Sequence, residues 1–218
     1  RYADISFDKA TPSALVSAGG IPPLESPETT HLSIADADGN AVAITTTLNS
    51  SFGNKVMVKG AGFFLNNEMD DFSSKPGSPN QFGLIGGEAN AIAPHKRMLS
   101  SMTPTIVTYN DQLKMVVGTP GGSTIITSVY QILLNVIDHG MGMQEAVNAK
   151  RIHHQWYPDE IRVETDALTE NVKTSLEQLG HQLRMTDKIG RMDCILVLPD
   201  GRLEGGADPR GDNTALGY

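Results

Sequence analysis

Two glycines at the mouth of a helix are the first chemistry this sequence offers. Thr119-Pro120-Gly121-Gly122-Ser123 interrupts an apolar strand pattern, and from Thr124 to about His139 apolar residues recur every three or four positions. Gly121 and Gly122 let a backbone approach a ligand closely, and their N–H groups are among the donors that find no partner inside the helix. Such donors, near the positive end of a helix, suit an oxyanion that develops during acyl transfer. The same glycines also suit a strand-to-helix turn that needs only positive φ, and both uses stay open at this point. A second cluster, Glu68-Met69-Asp70-Asp71, follows Leu65-Asn66-Asn67. Its carboxylates fit a solvated strand end or the recognition of an ammonium by converging acidic groups. A calcium loop would need alternating oxygen ligands and a central glycine that are missing. Ser100-Ser101 reads locally as turn or cap serines. The local motifs hold no recognisable Ser-His-Asp arrangement. His153 and His154 are adjacent, cannot face one site from a helix, and have no cysteine or third histidine close by, so no metal is expected there.

Composition narrows the classes. The 218 residues, 39% of them hydrophobic, are enough for one large layered core. A formal charge of −8 argues against an extended phosphate-binding surface, so no nucleic acid partner is expected. No apolar run reaches 18 residues, hence no transmembrane helix is expected. Cys194, the one cysteine, excludes an internal disulfide framework and reads as buried in the strand Met192–Val197.

The elements that must position these groups follow from the hydrophobic periods. Residues 1–28 read as a tail, with a short helical turn near Pro12–Leu15 and then Gly19-Gly20, Pro22, Pro23 and Pro27. A strand from His31 alternates Leu32 and Ile34 against Ser33 and Ala35, turns at Asp36–Asn40 and returns through Ala41–Asn49. Lys55–Val58 and Phe63–Leu65 read as short strands. Residues 73–93 form a loop long enough to be a lid or a binding loop. Strands Thr105–Tyr109 and Lys114–Gly118 lead to the long helix, whose Ile125, Ile126, Val129, Ile132, Leu133, Val136 and Ile137 form a broad stripe expected to be buried. A second helix follows Gly142, with Glu145–Lys150 as its body and Arg151–Trp156 as its end. A strand at Ile161–Glu164, a helix over Leu168–Leu179 stopped by Gly180, and strands His181–Thr186 and Met192–Leu198 complete the chain. That order predicts strands in central layers covered by helices.

In order along the chain stand Thr29-Thr30-His31, Thr47-Leu48-Asn49, Leu65–Phe72, Pro94–Thr105, Pro120-Gly121-Gly122-Ser123, Asp208-Pro209-Arg210 and Gly217-Tyr218. Together they resemble the small-subunit half of the gamma-glutamyltransferase family, over Thr29 to Tyr218. The resemblance implies an α/β fold, the αββα four-layer sandwich of the N-terminal-nucleophile hydrolases, completed by a large subunit from the same precursor. Residues 1–28 would then be the end of that large subunit or an uncleaved linker, and 29–218 the small catalytic subunit. The precursor would cut itself between Glu28 and Thr29, freeing Thr29 as nucleophile. The Thr29 α-amine, with a reference pKa near ~7.7–8.0, would take the hydroxyl proton.

By the same resemblance Thr47 orients Thr29, and Gly121 and Gly122 hold the oxyanion. Asn49, Glu68 and Asp71 clamp the α-ammonium of a gamma-glutamyl substrate, and Ser100 and Ser101 its α-carboxylate. Phe82 stands in the lid loop where some relatives carry a tyrosine, and supplies area without a polar latch. The implied substrates are glutathione or other gamma-glutamyl compounds, with water, amino acids or peptides as acceptors and no cofactor. A periplasmic or extracellular location is implied. The alternative is a related amidase, such as a cephalosporin acylase or a poly-gamma-glutamate hydrolase. The Arg210-Gly211-Asp212 triplet belongs with this resemblance and is not read as an adhesion motif.

Overall fold

The structure is a computed structural model that describes residue 6 and residues 8–15, 29–81 and 84–217. In chain order the strands and helices are β1 (Thr29–Ala35), β2 (Ala41–Thr47), β3 (Thr105–Tyr109), β4 (Gln112–Gly118), α1 (Thr124–Ile137), α2 (Met143–Asn148), β5 (Ile152–His153), β6 (Ile161–Glu164), α3 (Glu170–Gln178), β7 (Leu183–Thr186), β8 (Asp193–Val197) and β9 (Leu203–Ala207). Short 3-10 turns occur at Ser13–Leu15, Glu68–Asp71 and Glu88–Asn90. The elements divide between two compact units.

The first unit, made of residues 26–68, 100–149 and 190–218, holds an antiparallel sheet in the order β3-β4-β8-β9 and the β1-β2 hairpin. Alternation along β4 decides its layering. Met115 and Val117 point to one side and join Val129 and Ile132 of α1, Met143, Ala146 and Val147 of α2, and Met192, Cys194 and Leu196 in one buried apolar cluster. Val116 and Gly118 point to the other side, where β1 packs. A Cβ built on Gly118 would fall onto ring atoms of His31, so the absence of a side chain is what lets the imidazole lie flat on β4. Helices, four-stranded sheet and hairpin thus form three successive layers within this unit. Cys194 is buried as expected.

The hairpin inverts the usual burial. Thr29, His31 and Ser33 face inward, while Leu32, Ile34, Val42 and Ile44 lie on the outer face and are exposed. Alternation was legible, but its direction is set by hydrogen bonds: Ser33 Oγ donates to Asp193 O of β8 at 2.8 Å. In α1, Ile125, Val129 and Ile132 are buried, but Ile126 and Ile137 are each more than 60% exposed, so the buried stripe is narrower than expected. The expected strands at 55–58 and 63–65 reduce to one bridge between Met57 and Phe64.

The second unit comprises residues 1–25, 69–99 and 150–189. Its sheet has the order β5-β6-β7, with β5 antiparallel and β7 parallel to β6, and α3 makes the crossover from β6 to β7. Thr169 caps α3 by accepting from Val172 N, and Gly180 at φ 98° ends it. Arg151–Trp156 does not end a helix. The helix stops at Asn148 because Ala149 turns extended, and Ile152–His153 becomes β5. Glu164 is fully buried and accepts from the Arg151 and Ile189 amides at 2.9 and 2.8 Å, which pins β6 to both neighbouring segments. The expected turn near Pro12–Leu15 is present as the 3-10 turn, held by Asp159, which accepts from the Ser13 amide and hydroxyl at 2.7 Å each.

Candidate active site

Thr29 opens β1 opposite Thr47, the last residue of β2. Its side chain points to the buried side with 9% exposure, and its Oγ1 lies 3.1 Å from Thr47 Oγ1. Thr47 Oγ1 also accepts from the Asn49 amide at 2.9 Å, so its lone pairs are directed by the backbone just past the strand. Asn49 turns at φ 73°, a conformation asparagine tolerates better than most residues, and is buried. Its Nδ2 donates to Asn67 O at 3.2 Å, and Asn67 is itself held by the Leu48 carbonyl and Ser50. Asn67 directly precedes Glu68. A chain of hydrogen bonds therefore runs from Thr29 through Thr47 and Asn49 to the segment that carries Glu68.

The glycine pair follows the strand on which β1 packs. His31, two residues after Thr29, covers Gly118, the last residue of β4, and the chain continues over Thr119 and Pro120 to Gly121 and Gly122. Gly121 sits at φ 139° and Gly122 at φ 56°, both in the region that favours glycine. Their carbonyls accept from Thr124 N and Ile125 N at 3.1 Å each and so form the first turn of α1. The glycine N–H groups precede that turn and have no place in the helix ladder. Thr119 holds the loop from behind: it is fully buried, donates to Pro120 O at 2.6 Å and accepts from Arg191 N at 2.7 Å. Thr119 thus gives the glycine loop a rigid support, one of the properties an oxyanion hole needs.

Sequence reasoning gave His31, Thr119 and Asn67 no role. His31 is 5% exposed, with Nδ1 2.8 Å from Thr45 Oγ1 and Nε2 3.0 Å from Ser33 Oγ. Since the Ser33 hydroxyl donates to Asp193 O, it can only accept from the ring. Nε2 then carries the proton and Nδ1 accepts from Thr45. Burial lowers the His31 pKa to about 4, so the ring is neutral near pH 7. The signal was available, because His31 shares the inward face with Thr29 by strict alternation.

The remaining predicted residues are placed as follows. Glu68 and Asp71 begin and end a 3-10 turn, and both are half-buried. Ser100 and Ser101 lie just before β3, and Ser100 Oγ donates to Met102 O and accepts from Met102 N, as a turn serine does. Phe82 and Glu28 lie outside the described residues. Asp208 and Arg210 form a buried pair at 3.1 Å. Asp208 accepts from Met192 N, and the guanidinium donates to Val147 O and Ala149 O at the end of α2. That pair fastens α2 to the sheet. Among the described residues no group of three or more His, Cys, Asp or Glu side chains could hold a metal ion, and no helix is long and apolar enough to cross a membrane.

Comparison with known proteins gives a consistent answer. The chain is 49% identical over 215 residues to the glutathione hydrolase proenzyme of Escherichia coli strain K12, covering 98% of this chain and 37% of that protein. It is 50% identical over 209 residues to the proenzyme of the same name from Pseudomonas sp. strain A14, covering 91% of this chain and 36% of that protein. An acylase ACY 1 proenzyme of Pseudomonas sp. strain V22 is more distant, at 36% identity. The chain thus spans a little over a third of the length of these relatives. Among solved structures, the Helicobacter pylori gamma-glutamyltranspeptidase T380A mutant superimposes with a TM-score of 0.81 at 52% identity, covering 84% of this chain and all of that one. The fold is therefore the α/β fold of the N-terminal-nucleophile hydrolases. A sequence model of the family described as gamma-glutamyltranspeptidase matches residues 1–218, and with these relatives it establishes that the chain belongs to the gamma-glutamyltranspeptidase family.

Proposed function

We propose that residues 29–218 are the catalytic part of a self-cleaving gamma-glutamyltransferase and glutathione hydrolase, with residues 1–28 belonging to the segment released from them. The observation that carries this reading is the buried Thr29–Thr47 hydroxyl pair at a strand start, in the unit that also holds the glycine pair before α1.

A threonine hydroxyl is a weak nucleophile at neutral pH. In the precursor the Thr29 nitrogen is an amide. The hydroxyl attacks the Glu28 carbonyl, the acyl group shifts from nitrogen to oxygen, and water opens the ester. The freed α-amine then serves as base, taking the hydroxyl proton as Oγ1 attacks the gamma-carbonyl of a glutamyl amide. Thr47 fixes the Oγ1 direction through the 3.1 Å contact. The Gly121 and Gly122 N–H groups receive the oxyanion, at about 3–4 kcal/mol per donor. The protonated amine passes its proton to the leaving amine. Water or an acceptor amine then attacks the glutamyl carbonyl, and its proton passes by way of the α-amine to Oγ1 as the ester bond breaks. Asn49, Glu68 and Asp71 hold the substrate ammonium and Ser100 and Ser101 the carboxylate, with no metal or cofactor in the cycle.

The exposed outer face of the hairpin, Leu32, Ile34, Val42 and Ile44, supports a partner layer from the large subunit of the same precursor. The family resemblance favours a periplasmic or extracellular protein. The decisive experiment uses the full-length gene. Thr29→Ala should give one uncleaved, inactive polypeptide, and Thr29→Ser slow cleavage with partial activity, by intact mass and N-terminal sequencing. An active enzyme whose Glu28–Thr29 bond is intact would overturn the mechanism.

A further inference from the structure

The loop between the acidic turn and the serine pair contains a side chain that ties the turn to Leu99, the last residue before the pair. Asn90, on the 3-10 turn Glu88–Asn90, donates from Nδ2 to Asp71 O at 2.7 Å and accepts at Oδ1 from the Leu99 amide at 2.9 Å. Its own carbonyl accepts from the Ser73 amide at 3.0 Å. Three partners, 19, 17 and 9 residues away along the chain, thus meet on one half-buried residue. Lys96 grips the segment on both sides of it, its Nζ donating to Ala89 O at 2.8 Å and Ala91 O at 2.9 Å. Gly86 is packed so closely on Ser73 that a Cβ would meet the serine hydroxyl, which closes the loop at its base.

We propose that Asn90 is a positioning residue that fixes the acidic turn at Asp71 against Leu99, where the chain leads into the serine pair of the substrate clamp. Asp71 belongs to the ammonium side, and Leu99 is the residue immediately before Ser100 on the carboxylate side. An amide side chain is required at this position: it offers a donor toward a carbonyl and an acceptor toward an N–H at the same time. An aspartate offers no donor when ionised and sets an oxygen against Asp71 O. An alanine supplies neither bond. The inference rests on the substrate reading given above. It adds that the clamp's fit to an α-amino acid is held by a residue that touches no substrate.

Fixed spacing acts on binding of the glutamyl group in the ground and transition states alike, so its loss falls on KM rather than kcat. The test uses enzyme matured from the full-length precursor, titrated for active sites, with a gamma-glutamyl anilide. Asn90→Ala and Asn90→Asp should each raise KM by about tenfold and leave kcat within about twofold. Wild-type enzyme that fails to turn the anilide over defeats the parent reading. Wild-type turnover with unchanged KM in the Asn90 variants, or a fall in kcat at unchanged KM, overturns the positioning role alone. Should neither Asn90 variant mature, Lys96→Met loosens the same segment from an exposed position. It should raise KM by about threefold, and an unchanged KM there overturns the proposal.

Discussion

Gly118→Ala is the most informative substitution where the hairpin packs on the four-stranded sheet. Gly118 ends β4, and its φ is compatible with any residue, so the added methyl causes no backbone strain. The methyl would fall on the His31 ring, which is 95% buried and cannot swing aside while it is bonded to Thr45 at 2.8 Å and Ser33 at 3.0 Å. Displacing the ring forfeits two hydrogen bonds, about 1 kcal/mol each. Overpacking adds about 1–3 kcal/mol, and the lower chain entropy of alanine returns up to about 1 kcal/mol. The net loss is about 2–5 kcal/mol. Activity should fall further than stability, because Thr29 lies two residues before His31, and an ångström of misplacement can cost on the order of a hundredfold. The assay is thermal unfolding together with gamma-glutamyl anilide turnover, in Gly118→Ala, His31→Ala and the double variant. Removing the ring removes the clash, so the double variant should be more stable than the sum of single losses predicts, by at least about 2 kcal/mol. Additive losses, or full activity and stability in Gly118→Ala, would refute the reasoning.

Three further outcomes are expected. Asp71→Ala should lower kcat/KM for gamma-glutamyl substrates at least about tenfold without blocking self-cleavage, because it removes an ionic partner of the ammonium; unchanged kcat/KM in processed enzyme counts against the clamp. Burial raises the Asp193 pKa to about 6, against the Asn213 hydrogen bond that lowers it. The native state therefore binds that proton more tightly than the unfolded chain, and the charged form lowers stability above pH 6. Asp193→Asn should stabilise the protein at pH 8, with the gain shrinking as pH falls through 6 toward 4; a pH-independent difference in unfolding midpoint would contradict this. Arg210→Met leaves buried Asp208 without its guanidinium and strips the last carbonyls of α2, at about 3–5 kcal/mol. Calorimetry showing less than about 1 kcal/mol would assign the pair no such role.

What the sequence reveals follows from the range of each interaction. Strand alternation and the strand-glycine-helix order are local, so β3, β4 and α1 lie close to their expected bounds, and the glycine pair is recognisable from its immediate neighbours. Alternation is silent about which face turns inward. In the hairpin the polar face wins, because His31 and Ser33 find partners on Thr45 and Asp193 while Leu32 and Ile34 do not pack in this chain. The stretch Arg151–Trp156 carries no period that separates a helix end from a short strand, and the buried Glu164 that recruits it lies 13 residues on. Asn90 is invisible for the same reason: nothing near it in sequence announces Asp71 or Leu99 as partners.

The turn at Asp36–Asn40 looks remote from all of this, with Asp36 accepting from the Asp38 and Asn40 amides and the Asn40 side chain at 2.8–3.0 Å. It nevertheless sets the pairing that puts Thr29 across from Thr47. Gaining or losing one residue there would shift that pairing and part the Thr29 and Thr47 hydroxyls, about 20 Å from the edit. An engineer seeking a permissive place for a tag would choose that exposed, polar bend first, and would disturb the threonine pair from the far end of the hairpin.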